Sequence, residues 1–175
     1  MTTNDHPQIV FKWREVPRID RLDAYLAVGG YEGFKKALTM KPEQVIAEVK
    51  LSGLRGRGGA GFSTGTKWEL MDKRHEPRYL VANDDEAEPC TFKDRELTEK
   101  LPHQLLEGMM IASYALGAHH AFAYIRGEFV KGRRVVREAI KQCYASGLLG
   151  RNILGSGFDL DLVAPAHAGA EEARH

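Results

Sequence analysis

Apolar positions fall first at helical spacing and then alternate between helical and strand spacing along the chain. Asp20 to Gly29 reads as a short helix with an aspartate cap, stopped by Gly29 and Gly30. Tyr31 to Met40 places Phe34, Ala37 and Leu38 on one helical face. Pro42 suits the first turn of a third helix, with Val45, Ile46 and Val49 inward and Gly53 as its stop. A further helix is expected over Thr66 to Lys73. Arg78 to Asn83 is a short apolar run that predicts a buried strand. Pro102 opens a long apolar helix ending at Gly117, and His120 to Arg126 then alternates around Phe122 and Tyr124 as a strand. Val130 to Ser146 is amphipathic, with Val135, Val136, Ala139, Ile140 and Cys143 inward, and Phe158 to Val163 predicts a strand with one wet face. Strands separated by helices predict an α/β sandwich. We divide the chain into a helical lead-in (1–52), an α/β domain (53–163) and a tail (164–175).

Composition narrows the function classes. Of 175 residues, 43% are hydrophobic and 28% charged, which fits a globular domain with its own core. The formal net charge of +1 argues against a general nucleic-acid binder or a polybasic membrane binder. Met1 to Gln8 is polar and lacks the apolar segment of a secretory signal. The most apolar stretch, Met109 to Ile125, is interrupted by Gly117, His119 and His120, so no direct membrane span is expected. The two cysteines, Cys90 and Cys143, are too few for an iron–sulfur or structural zinc site. A reducing, cytoplasmic compartment is expected.

The first chemical signal is a glycine cluster. Of the 18 glycines, Gly53, Gly56, Gly58, Gly59, Gly61 and Gly65 crowd into residues 53–65. Gly56-Arg57-Gly58-Gly59-Ala60-Gly61 satisfies G-x-G-x-x-G, and glycines let successive backbone N–H groups approach a phosphate. Arg55, Arg57 and Lys67 add positive charge. An ordinary Rossmann unit would place a strand before this motif, whereas a helix is predicted there. A Walker A loop also fails, because Thr66 and not lysine follows Gly65. A solvated basic loop without a ligand is the competing reading.

The second signal is Asn83-Asp84-Asp85-Glu86-Ala87-Glu88-Pro89, directly after a predicted strand. Ligand crevices in α/β proteins lie at the carboxyl ends of strands, where such side chains can accept hydrogen bonds from ring N–H or ribose hydroxyls. A solvated acidic turn is the alternative, and the spacing is not that of an EF-hand.

Gly53 to Trp68, Tyr79 to Pro89 and Thr91-Phe92-Lys93-Asp94-Arg95 resemble the family of flavin-bearing, NADH-oxidising subunits of respiratory complex I. Relatives of that family serve NAD-linked formate dehydrogenases and NAD-reducing hydrogenases. Further matches follow in order at Pro102-His103, Glu107-Gly108-Met109, Tyr124 to Glu128 and Gly147 to Phe158. The resemblance spans roughly residues 18 to 163. It implies an FMN loop in which Gly56, Arg57, Gly58, Gly59 and Lys67 hold the cofactor, with Asn83, Asp85 and Glu86 contacting the flavin. Phe62 and Glu88 are implied NADH contacts. The implied chemistry is hydride transfer from NADH to FMN, which then passes electrons to iron–sulfur clusters, with no catalytic acid or base. Implied partners are NADH, a thioredoxin-like 2Fe–2S subunit and other complex I subunits, with quinone reached only indirectly. The implied location is peripheral, on the cytoplasmic face of the inner membrane.

Departures from the family pattern are Ala82 for a cysteine, Asp84 for an alanine and Cys90 for a glycine. Cys90 is expected to strain its turn if that position needs positive φ. The family continues beyond the last strand to a second wall of the flavin site and a four-cysteine 4Fe–4S site, whose ligands this sequence does not contain. A non-catalytic remnant or interaction fragment is therefore the alternative, with an open, aggregation-prone sheet expected in the isolated chain.

Overall fold

The computed structural model describes residues 9–57, 60–72 and 74–165. The lead-in forms α1 (Leu22–Ala27), α2 (Glu32–Leu38) and α3 (Pro42–Leu51). α4 (Thr64–Glu69) follows the glycine segment, then come β1 (Tyr79–Asp84), α5 (Lys93–Lys100) and α6 (Pro102–Leu116). β2 (His120–Ile125), α7 (Val130–Ala145) and β3 (Asp161–Val163) complete the described chain, with a single 3-10 turn at Ile153–Gly155. The strands are parallel, and helices supply the crossover connections that parallel pairing requires. The order is β1-β2-β3, with Tyr79 opposite His120 and His120 opposite Asp161.

Helices cover one face of this sheet. Ala121, Ala123 and Ile125 of β2 and Leu162 of β3 are buried there with Leu106, Met109 and Met110 of α6 and Val136, Ala139 and Ile140 of α7. The lead-in packs behind them, α2 and α3 on α6 and α1 on α7, and gives Tyr25, Tyr31 and Phe34 to the same core. On the opposite face, Tyr79 and Val81 of β1 are each 59% exposed, and Tyr124 and Val163 are also open. The mixed α/β architecture matches the sequence expectation. β1, expected to be buried, is instead an edge strand with one open face.

Two helix starts and one whole helix differ from expectation for identifiable physical reasons. α1 starts at Leu22, not at an aspartate cap: Arg21 is extended, and Gln142 Oε1 from α7 accepts the Leu22 N–H. α4 starts at Thr64 because Ser63 caps it, its Oγ accepting from Thr66 N. α5 has no expected counterpart, since Lys93-Asp94-Arg95-Glu96-Leu97-Thr98 offers little apolar periodicity. Among the described residues, no helix is long and apolar enough to cross a membrane.

Candidate functional site

The glycine segment follows α3, not a strand. Gly53 turns the chain at φ +68°, and the two ends of the loop then pair across a short antiparallel neck. Thr64 N donates to Leu54 O at 2.9 Å, and Gly56 N donates to Phe62 O at 3.0 Å. The neck thereby brings Gly56 against Phe62 and delivers the chain directly onto α4. Gly65 lets α4 lie against α3: a Cβ there would sit 2.4 Å from the backbone N and Cα of Lys50. Lys50 Nζ also pairs with Glu69 Oε2 at 2.6 Å, and Trp68 packs on the Ala37–Val45–Ile46–Ala115 cluster.

Between loop, α4 and β1 lies a groove of about 560 Å³. Its walls include Gly56, Gly61 and Phe62 from the loop, Lys67 from α4, and Tyr79 and Val81 from the open face of β1. The volume lies within the range of small-molecule sites. Lys67 is exposed, and no side-chain partner for its ammonium occurs among the described residues. Phe62 is likewise half exposed beside it. Among the described residues a Cβ on Gly56 would meet only Phe62 O, at 3.9 Å, so their packing does not demand a glycine there. An open glycine, an unpaired cation and an exposed aromatic ring fit an anionic, planar ligand. Gly58 and Gly59 lie outside the described residues.

The acidic stretch sits at the other end of β1. Asn83 continues the open row of Tyr79 and Val81, and its Oδ1 accepts from Asp85 N at 3.0 Å. Asp85 lines a second cavity of about 390 Å³ with Tyr124, Arg126 and Glu128. Glu86 points inward: its oxygens accept from Asp94 N at 3.1 Å and Arg95 N at 3.2 Å, holding the first turn of α5. Arg126 supports it from below, donating from Nη1 to Glu86 O and from its backbone N to Asp84 O. Glu88 is exposed and lines neither cavity.

Gly56, Phe62 and Lys67 thus meet in one groove, and Arg57 lies on the same loop, exposed. Asn83, Asp85, Glu86 and Glu88 do not meet them. The two groups are joined by the open face of β1, about 17 Å long for a six-residue strand. Tyr79 and Met71 line the groove without standing out in the sequence; the alternation Tyr79-Val81-Asn83 is the signal that marks that face. Cys90 has φ +66°, the strained left-handed conformation expected where the family pattern has glycine.

The chain is similar to known proteins over most of its length. Residues 49–169 match the Nuo51 FMN-binding domain family. The F component of the NADH-quinone oxidoreductase of Aquifex aeolicus is 50% identical over 162 residues, covering 93% of this chain and 38% of the relative. The corresponding Mycobacterium tuberculosis protein is 56% identical over 146 residues, covering 81% of this chain and 33% of the relative. An NAD+-reducing [NiFe]-hydrogenase structure in the H2-reduced state superposes with a TM-score of 0.67 at 29% identity, over 92% of this chain and 26% of that one. The chain spans little more than a third of the length of the curated relatives it matches. With the family match covering well over half of its residues, the chain belongs to the Nuo51 FMN-binding domain family.

Proposed function

We propose that the groove between the glycine loop, α4 and β1 holds FMN, and that the chain is part of an NADH-oxidising flavoprotein subunit of NADH-quinone oxidoreductase. The observation that carries this reading is the short antiparallel neck that seats Phe62 in one groove with Lys67 of α4. In it, Gly56, Arg57, Gly58, Gly59 and Lys67 hold the cofactor phosphate and its neighbours. Asn83 and Asp85 face the flavin from the far end of β1, and Glu86 keeps their loop in shape through α5. Phe62 stacks on, and Glu88 hydrogen-bonds to, the incoming NADH. Bound there, FMN would supply the hydride acceptor and the release of single electrons to iron–sulfur clusters. The chain's own residues bind and orient; none is assigned proton transfer. A thioredoxin-like 2Fe–2S subunit and the other complex I subunits are the expected partners, on the cytoplasmic face of the membrane.

Lys67→Ala tests the reading. Loss of a charge-assisted phosphate contact of about 1.5–3 kcal/mol should weaken FMN binding at least about tenfold in a fluorescence titration. The melting temperature should not move, because Lys67 is exposed. Unchanged FMN affinity would remove the phosphate role. The likeness to the hydrogenase favours a second reading, the flavin subunit of an NAD-reducing hydrogenase. Co-purification of the native assembly separates the two by the presence or absence of nickel.

A further inference from the structure

Asp84 ends β1 on the helix-covered side of the sheet and is 6% exposed. Its Oδ2 is at hydrogen-bonding distance from Thr98 Oγ1 of α5. The same hydroxyl lies 2.7 Å from Asp94 O, one turn back in that helix. A hydroxyl carries one hydrogen. With Asp84 ionised, both neighbours of Thr98 Oγ1 would be acceptors, and one contact would be left with no proton between its oxygens. Asp84 Oδ1 is buried with no hydrogen-bond partner among the described residues, an arrangement costly for a carboxylate and far less so for a neutral acid. We propose that Asp84 is a proton-bearing positioning residue: as a neutral acid it donates from Oδ2 to Thr98 Oγ1, which donates to Asp94 O, fastening the end of β1 to α5.

The surrounding charges agree. Lys93 and Asp94 face Asp84 from α5, and Glu86 faces it from the following loop. Lys93 is already paired with Asp94 and lies 3.7 Å from Glu86 Oε1. Arg126, after β2, reaches Asp84 only through its backbone N–H and commits its guanidinium to Glu86 O and Glu128. Burial pushes the Asp84 carboxyl up to about 6, with Asp94 and Glu86 adding to the rise against the Thr98 hydrogen bond and Lys93. The folded chain therefore keeps a proton that the unfolded chain loses at lower pH. The stabilisation is complete below the ordinary aspartate range and is lost as pH rises through about 6. Asp84 and Glu86 both bind α5, so the tether holds Asp85 outward between them. The proposal concerns the chain's own residues and stands whether or not flavin binds.

The test compares wild type with Asp84→Asn, whose neutral amide can donate to Thr98 at any pH. Between about pH 5 and about pH 8, the wild-type folding constant should fall about tenfold relative to D84N, about 3–5 °C in melting temperature. At each pH, hydrogen exchange at residues 85–88 is compared between the two, so the chemical exchange rate cancels. Wild type should lose protection relative to D84N as pH rises. A ¹³C NMR titration of the Asp84 carboxyl in wild type needs no variant and should give a midpoint near 6. A midpoint in the ordinary aspartate range, or parallel pH profiles for the two proteins, would overturn the proposal.

Discussion

Gly65→Val is expected to lower the melting temperature by about 6–12 °C, a loss of about 3 kcal/mol. The reason is backbone meeting backbone. A Cβ at Gly65 would lie 2.4 Å from both N and Cα of Lys50, and no rotamer change relieves that contact. α4 must move away from α3, taking Lys67 and the loop neck with it, because Lys67 N donates to Ser63 O and Thr64 N to Leu54 O. FMN affinity should therefore fall with stability. Gly56→Ala provides the contrast. Among the described residues its added methyl meets only Phe62 O at 3.9 Å, so the melting temperature should stay within about 2 °C while FMN affinity falls. Differential scanning calorimetry beside a flavin titration separates the two. A Gly65→Val protein as stable as wild type would mean that α3 and α4 are not packed this way.

The second large effect is expected at Glu107. This α6 side chain caps α2 from another helix: its Oε2 accepts from Tyr31 N at 3.0 Å and its Oε1 from Phe34 N at 3.1 Å. Oε2 also accepts the Tyr25 hydroxyl at 2.6 Å. Burial and this carboxylate hold the Tyr25 hydroxyl well above the ordinary tyrosine range. α2 has no side-chain cap of its own, so Glu107→Ala leaves two N–H groups and a hydroxyl unmatched. We expect a loss of about 3 kcal/mol, about 6–12 °C in melting temperature, with Glu107→Gln intermediate. Because Tyr25, Tyr31 and Phe34 belong to the core shared with α6 and α7, the transition should remain single and shift as a whole. A separate early transition of the lead-in would contradict a shared core.

The contrast between these two positions explains what is legible in the sequence. α6, bounded by Pro102 and by Gly117 at φ +65°, carries both a strong apolar stripe and local start and stop chemistry, so its limits are readable. α7 is readable from its apolar stripe and from Gly147, at φ +72°, just past its end. α5 is not, because its start is fixed by Glu86, seven residues upstream, and its packing by Leu97 and Thr98 among charged neighbours. α1 and α2 likewise take their caps from Gln142 and Glu107, at distances in sequence no local pattern reveals. At the site, the loop and Lys67 are legible because glycine spacing and a following helix are local features. The exposure of β1 is not, since an apolar run looks the same whether one or both faces are covered. Glu86 illustrates the limit most clearly. Its residue type suggests a ligand contact, and its geometry makes it a backbone anchor.

The most direct test of the proposed flavin groove is an FMN titration of the ¹⁵N-labelled 175-residue chain, followed by amide chemical shifts. Shifts should concentrate at residues 56–68 and along β1, from Tyr79 to Asn83, with the α3 face around Glu43 and Ala47 unmoved. An absence of shifts at saturating FMN, or shifts confined to regions away from the glycine loop and β1, would contradict it.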